Sequence, residues 1–180
     1  MKGTVLESTM PLKYSLPEET FTDKTASALG IQIDNFAKFG STVNVGEKIV
    51  ARHMAQIPRY DYTLLKFGGN DCDFNWEDVG NDPRWIHEPF TPLTEFSLAY
   101  NRIIDQVREA GSTPIILSLV PVDPQHFYAH VTRTIGARGR SNVIEWLGGS
   151  PSFIGEWHEM YNLQVLGIAA KNDVPVIDIT

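Results

Sequence analysis

The chain has 180 residues, of which 42% are hydrophobic and 21% are charged. These values are typical of a globular protein, and the length fits a single domain with one sizeable core. The formal net charge of −7 argues against a nucleic-acid partner and against an anionic membrane surface, because both need a basic patch on the protein.

The number of cysteines and the hydropathy of the chain indicate which cellular compartment the protein occupies. Cys72 is the only cysteine, so the chain can form no internal disulfide and suits a reducing compartment. No stretch has the apolar core of a signal peptide or the ~20 apolar residues of a membrane span. We therefore expect a cytoplasmic protein. A nucleophilic role for Cys72 would need a partner histidine and a lowered pKa, and the sequence shows neither.

The first part of the chain predicts a loop and then alternating helices and strands. Residues 1–16 are polar, contain a proline and show no sustained period, so they predict a loop. Apolar periodicity then predicts a helix over 18–29, a strand over 31–37, a helix over 46–56 and a strand over 62–67. Pro17 and Gly30 bound the first of these helices.

The second part continues the same alternation. It predicts helices over 92–110, 142–147 and 152–172 and strands over 114–120 and 174–179, with long connections over 73–92 and 121–139. Helices that alternate with parallel strands are typical of an α/β fold, here a three-layer α/β/α sandwich.

Polar residues stand directly after the strand predicted over 62–67. Gly68 and Gly69 allow the backbone to turn sharply, and Asn70 and Asp71 come next at the carboxyl end of the strand, where open α/β sheets place their ligands. The alternative is an ordinary turn in which the two side chains cap local backbone amides.

This segment resembles the third sequence block of the SGNH, or GDSL-type, hydrolases, in which Gly-x-Asn-Asp comes directly after the third strand. The resemblance implies that the amide of Asn70 points into an oxyanion hole. It also implies that Asp71 holds the turn, together with Gly69.

A second block lies upstream, where the phrase NFAKFGSTV resembles the end of the second strand of the same family. The resemblance makes the backbone N–H of Gly40 another oxyanion donor. Glycine suits this role because a Cβ would obstruct the approach of the backbone to a tetrahedral intermediate. The alternative is an ordinary glycine between a strand and a loop.

Aromatic side chains are frequent in the connection over 73–92, where Phe74, Trp76, Trp85 and Phe90 occur. Rings just past a site often line a pocket for an apolar group, and we assign Phe74 and Trp76 to substrate binding. The alternative is that the rings attach a long connection to the core.

The family's nucleophile block, Gly-Asp-Ser, is absent from the chain, and its base block, an Asp-x-x-His before the family's last helix, is absent from the corresponding place. Residues 2–6 resemble the segment directly after the Gly-Asp-Ser block, and Asp178 resembles the region upstream of the Asp-x-x-His block. We therefore expect a domain over residues 1–180 that is truncated at both ends, lacks its first strand and is inactive as it stands.

Other residues whose side chains could act in catalysis show no pattern that indicates such a role. Asp123 and His126 have Asp-x-x-His spacing but come after the fourth strand of the family order rather than the fifth, so we predict no catalytic role for His126. Ser8 and Ser41 lie near the expected pocket without a visible base. The other histidines, His53, His87, His130 and His158, are predicted to be surface or packing residues, and no Cys/His cluster suggests a metal.

The resemblance implies a serine esterase or lipase-type acylhydrolase with a flavodoxin-like parallel sheet, a small ester as substrate and no cofactor. The alternative is a non-catalytic protein of the same fold that binds a small ligand. Absence of the first strand would leave unpaired strand edges, through which copies of the chain would associate.

Overall fold

The computed structural model describes residues 5–9, 12–15 and 17–180. The chain forms two compact units, one over Met1–Ser41 and one over Thr42–Thr180.

The first unit contains a pair of short strands, β1 (Val5–Thr9) and β2 (Leu12–Ser15). They pair antiparallel, with an irregularity between Leu6 and Ser8. The loop predicted over residues 1–16 is therefore wrong for these two segments. Strands of five and four residues are too short to show a sustained alternation, which is the signal that predicts a strand.

A helix, α1 (Phe21–Leu29), comes after these strands. It begins three residues later than predicted because Thr20 and Asp23 form a capping box: the Asp23 N–H donates to Oγ1 of Thr20, and the Thr20 N–H donates to Oδ2 of Asp23 at 2.8 Å. The helix ends at Gly30, which has a left-handed conformation.

The strand predicted over residues 31–37 is wrong. Within residues 17–41 the chain after Gly30 is irregular and pairs with no strand, and Ile31 is half-exposed. Alternating apolar residues favour an extended backbone, but a strand also needs a neighbour that accepts and donates its hydrogen bonds.

The second unit contains the remaining described elements. Its helices are α2 (Val43–His53), α3 (Trp76–Asn81), α4 (Leu93–Glu109), α5 (Pro124–Val131), α6 (Ala137–Trp146) and α7 (Ser152–Lys171). Its strands are β3 (Tyr62–Leu65), β4 (Thr113–Leu117) and β5 (Val176–Ile177). Among the described residues these strands form one parallel sheet in the order β3-β4-β5. The predicted α/β class is thereby confirmed.

One face of the sheet is covered by helices. Leu65 of β3 is opposite Ile116 of β4 in register, and both are buried. They belong to a core cluster to which α2, α4 and α7 contribute, including Phe96, Tyr100, Ile104, Tyr161 and Val165. The burial of these side chains is the main favourable contribution to the fold of this unit.

The opposite face of the sheet carries Tyr62 and Leu64, which are 65% and 54% exposed. Successive residues of a strand point to opposite faces, so both side chains belong to the face that Leu65 does not share. At these two residues of β3 the face is apolar and open to solvent.

A second, smaller cluster lies around the connections after β3 and β4. It consists of Phe74, Trp76, Val79, Val143, Leu147 and Ile154. The connections predicted over 73–92 and 121–139 contain the short helices α3 and α5, and helix α6 begins earlier than predicted.

In the part of the chain that the structure describes, no helix is both long and apolar enough to cross a membrane.

Candidate functional site

The candidate site is the turn directly after β3. Gly68 is buried and has φ of +131°, a conformation that residues with a side chain rarely adopt. A Cβ at this position would also lie 2.8 Å from Cδ1 of Leu119. The conformation therefore favours glycine at this position, and a side chain there would also displace the Leu119 methyl group.

Asp71 holds this turn through backbone hydrogen bonds. The N–H of Gly68 donates to Oδ2 of Asp71 at 2.9 Å, and the N–H of Val43 donates to Oδ1 at 2.8 Å. The side chain is fully buried. Burial raises the pKa of Asp71, while the hydrogen bonds from Val43 and Gly68 act in the opposite direction.

Gly69 and Asn70 lie at the exposed tip of the same turn. The turn is closed by the N–H of Cys72, which donates to the carbonyl of Gly68 at 2.9 Å. Asn70 is thus exposed to solvent, while the buried side chain of Asp71 holds the backbone of the turn. A side-chain amide at the carboxyl end of a parallel strand can donate a hydrogen bond to a developing negative charge.

Gly40, the other predicted oxyanion donor, belongs to the first unit, whereas Asn70 belongs to the second. Its φ is +72°, in a turn that the N–H of Ser41 closes by donating to the carbonyl of Lys38 at 3.3 Å. This conformation accounts for a glycine at the position without any role in catalysis. Its role as a donor stays a prediction.

A small cavity of about 30 Å³ lies beside the turn. Gly69 and Cys72 form part of its wall, and so do the predicted substrate residues Phe74 and Trp76. Phe74 and Trp76 are also members of the smaller core cluster. The rings therefore both attach the connection to the core and line a pocket. Trp85 and Phe90, by contrast, are exposed.

Sequence reasoning missed three aromatic residues of this cavity, Phe127, Phe153 and Trp157. Phe127 lies on α5, and the other two lie on α7. Phe153 and Trp157 are four residues apart, which places them on one face of a helix. This spacing was the signal in the sequence that could have indicated both residues.

Hydrogen bonds orient both tryptophans of the cavity. The Nε1–H of Trp76 donates to Oδ1 of Asp73 at 2.6 Å, and the Nε1–H of Trp157 donates to the carbonyl of Cys72 at 2.9 Å. The N–H of Phe74 also donates to Oδ1 of Asp73, at 2.9 Å. Burial raises the pKa of Asp73, and these bonds partly offset that effect.

Cys72 is buried, and its thiol donates to the carbonyl of Gly69 at 3.4 Å. Burial, together with the charges of Asp73 and Asp71, raises the pKa of this thiol to about 12. The thiol is therefore neutral at physiological pH and is not an activated nucleophile.

The Asp-x-x-His sequence forms a helix cap. Oδ1 of Asp123 accepts hydrogen bonds from the N–H groups of Gln125 and His126 at the start of α5. The ring Nδ1 of His126 lies 2.7 Å from Oδ2 of Asp123, and both side chains are largely exposed. These bonds lower the pKa of Asp123. The pair is a local, solvated arrangement at a helix N-terminus.

His158 is the histidine that lines the cavity. It lies on α7, one residue after Trp157. Burial lowers the pKa of His158, so the neutral imidazole is favoured at physiological pH. Within the described residues no group of three or more His, Cys, Asp or Glu side chains could hold a metal ion.

Comparisons of the chain with protein-family models, with curated proteins and with solved structures give no match.

Proposed function

We propose that the chain carries the oxyanion-binding part of an SGNH/GDSL-type ester hydrolase. The observation that supports this proposal best is the turn after β3. Asp71 is buried and accepts from Gly68 and Val43, and Asn70 is exposed at the tip. A preorganised donor stabilises a transition state because it needs no reorganisation when the charge develops.

In this proposal a serine hydroxyl attacks the ester carbonyl while a histidine accepts its proton. The side-chain amide of Asn70 stabilises the oxyanion of the tetrahedral intermediate. The intermediate collapses as the histidine returns the proton to the leaving alcohol, and water then releases the carboxylic acid by the same steps. The Gly-Asp-Ser block that supplies the serine in the family is not among these 180 residues, and the Asp-x-x-His sequence at Asp123 and His126 forms the cap of α5.

The finer architecture belongs to the same proposal. A three-layer α/β/α sandwich with a flavodoxin-like sheet, formed as a single domain over residues 1–180, requires a layer over the face that carries Tyr62 and Leu64. It also requires a strand beside β3.

The test begins with the encoding DNA. We expect that the reading frame, traced in both directions, encodes an apolar strand that ends in Gly-Asp-Ser and a downstream Asp-x-x-His. The protein extended by these segments should hydrolyse short-chain aryl esters, whereas the 180-residue chain should not exceed background. An extended protein that has both blocks and hydrolyses no ester would contradict the proposal.

A second candidate function is a non-catalytic protein of the same fold that binds a small apolar ligand. The cavity between Phe74 and Trp157 favours it, because ligand binding there needs no nucleophile. If the flanking frame encodes neither block and the chain still binds small esters, this second function is supported over the first.

A further inference from the structure

Helix α7 contributes two adjacent buried polar side chains, Tyr161 and Asn162, that the proposed reaction does not use. Tyr161 is fully buried and Asn162 is 2% exposed. Polar groups in a core need hydrogen bonds that offset their loss of hydration. The partners of these two side chains therefore indicate what the side chains hold.

Asn162 reaches the turn after β3 through Leu119. Its Oδ1 accepts from the N–H of Leu119 at 2.9 Å, in a buried hydrogen bond between α7 and the chain that leaves β4. The side chain of Leu119 lies against Gly68, since a Cβ at that glycine would be 2.8 Å from Cδ1 of Leu119. Asn162 therefore fixes the residue that packs against the first residue of the turn.

Tyr161 reaches the same turn through Thr91. Its hydroxyl donates to the carbonyl of Thr91 at 2.6 Å, in a buried hydrogen bond. The N–H of Thr91 donates in turn to the backbone carbonyl of Asp71 at 3.0 Å. Because Thr91 is fully buried, solvent does not compete for these bonds. Tyr161 thereby holds the backbone directly after Asn70.

A third residue of the same helix contacts the turn directly. The Nε1–H of Trp157 donates to the carbonyl of Cys72 at 2.9 Å. Trp157 and Tyr161 are four residues apart, so they lie on one face of α7, and their ring centroids are 5.7 Å apart. Helix α7 therefore supports the turn at its beginning, through Leu119, and at its end, through Thr91 and Cys72.

We propose that Tyr161 and Asn162 are positioning residues of the ester hydrolase, which act on the oxyanion through the turn that carries Asn70. The inference rests on the proposed function, since it concerns the donor that this function requires. Neither side chain contacts the substrate in this proposal. Each fixes one side of the turn, Asn162 before Asn70 and Tyr161 after it.

The effect on the reaction comes from the precision that an oxyanion donor needs. The donor must be held in place before the charge develops, because reorganisation at that moment costs free energy. Asn70 is exposed, so the position of its amide depends strongly on the backbone of the turn. A displacement of about 1 Å can lower a rate by about 10²-fold. Loss of either support should therefore lower kcat by about 10- to 10²-fold.

The first test follows the turn in the 180-residue chain and does not depend on turnover. Tyr161→Phe removes one hydroxyl, and Asn162→Leu removes one amide acceptor. Gln164→Leu is the matched control, because Nε2 of Gln164 donates to Oγ of Ser97 at 2.8 Å and joins α7 to α4.

Hydrogen exchange is measured by mass spectrometry on a peptide that covers residues 66–73. We expect exchange to be about fivefold faster in Tyr161→Phe and Asn162→Leu, the factor that corresponds to one lost hydrogen bond. Gln164→Leu should leave it unchanged. Exchange that is unchanged in both of the first two variants would overturn the inference.

The second test measures steady-state kinetics on an aryl acetate in the extended protein. Tyr161→Phe and Asn162→Leu should lower kcat by about 10- to 10²-fold with little change in KM, while Gln164→Leu should keep both constants. Asn162→Asp keeps an oxygen at the acceptor position and should restore most of kcat. If Asn162→Leu does not fold, Tyr161→Phe alone decides, and an unchanged kcat in it contradicts the inference.

The kinetics also separate this inference from the proposed function. If an extended protein that carries both blocks hydrolyses no ester, the proposed function fails, and the positioning role of Tyr161 and Asn162 fails with it. If it hydrolyses esters and both variants match Gln164→Leu in kcat, the function stands and the positioning role alone is overturned.

Discussion

The Asp71 carboxylate caps a helix that begins 28 residues earlier in the chain, since it accepts a hydrogen bond from the N–H of Val43 at 2.8 Å. Val43 is the first residue of α2, and within the described residues the side chain of its N-cap Thr42 makes no capping hydrogen bond. A carboxylate at this position satisfies an N–H that has no partner in the helix and interacts favourably with the helix dipole. The same side chain fixes Gly68, so helix α2 and the turn that presents Asn70 depend on one residue.

The first prediction concerns the contribution of Asp71 to stability. Asp71→Ala leaves the buried N–H groups of Gly68 and Val43 without their acceptor and should lower the free energy of unfolding by about 2–5 kcal/mol. Asp71→Asn keeps one acceptor oxygen and should lower it by less. Urea denaturation monitored by circular dichroism measures both. Asp105→Ala, at an exposed carboxylate on α4, is the control and should change the value by less than about 0.5 kcal/mol.

The second prediction is a pH dependence of unusual sign for a carboxylate. Burial raises the pKa of Asp71 above its ordinary value of 3.8. At pH values between 3.8 and the raised pKa, the folded protein therefore binds more protons than the unfolded chain. Through that window, protonation of Asp71 stabilises the folded state as the pH falls. The unfolding free energy of the wild type, relative to Asp71→Asn, should therefore rise on acidification. A relative free energy that falls would mean that the two N–H donors outweigh burial.

The third prediction concerns Asn70 in the extended protein. Asn70→Ala should lower kcat by about 10²–10³ and change KM little, because an oxyanion donor acts mainly in the transition state. The side chain is exposed, so the free energy of unfolding should change by less than about 1 kcal/mol. Steady-state kinetics on an aryl acetate and urea denaturation measure the two effects. A raised KM with an unchanged kcat would identify Asn70 as a residue that binds substrate or supports structure.

The fourth prediction concerns Cys72. With its pKa raised to about 12 by burial, the thiol is almost entirely protonated at mildly alkaline pH and should react with iodoacetamide at least about 10²-fold more slowly than in the urea-unfolded chain. Mass spectrometry of the alkylated protein measures the rates. Cys72→Ala should leave the extended protein able to hydrolyse esters, because the thiol lines the cavity without acting as a nucleophile. Rapid alkylation of the folded chain, or loss of activity in this variant, would contradict a purely structural role.

Much of the second unit could be predicted from the sequence because its main elements are strongly periodic. Helices predicted over 92–110 and 152–172 appear as Leu93–Glu109 and Ser152–Lys171, and strands predicted over 62–67 and 114–120 appear as Tyr62–Leu65 and Thr113–Leu117. Each has an apolar face wide enough to be recognised without knowledge of its partners.

Features that depend on a distant partner could not be predicted in this way. The alternation of residues 31–37 is compatible with a strand, but no local pattern shows whether a neighbouring strand is present. The contact between Asp71 and Val43 and the cavity walls from α5 and α7 are tertiary, and only the spacing of Phe153 and Trp157 gave a local indication. The turn itself was recognisable because Gly68 and Gly69 come directly after a strand.

The last prediction concerns association through β3. Among the described residues β3 pairs with β4 on one side, and its Tyr62 and Leu64 side chains are exposed. An open strand edge beside exposed apolar side chains is a template for pairing with another chain, and charged residues there oppose such pairing. We therefore expect the 180-residue chain to form dimers or larger species, and Leu64→Lys to raise the monomer fraction.

Leu163→Lys, at an exposed leucine on α7, introduces the same charge away from β3 and should leave the distribution unchanged. Size-exclusion chromatography with light scattering measures the species. A monodisperse monomer before any substitution, with a sharp and reversible thermal transition, would show that the β3 edge is already protected and would contradict the association that the open edge predicts.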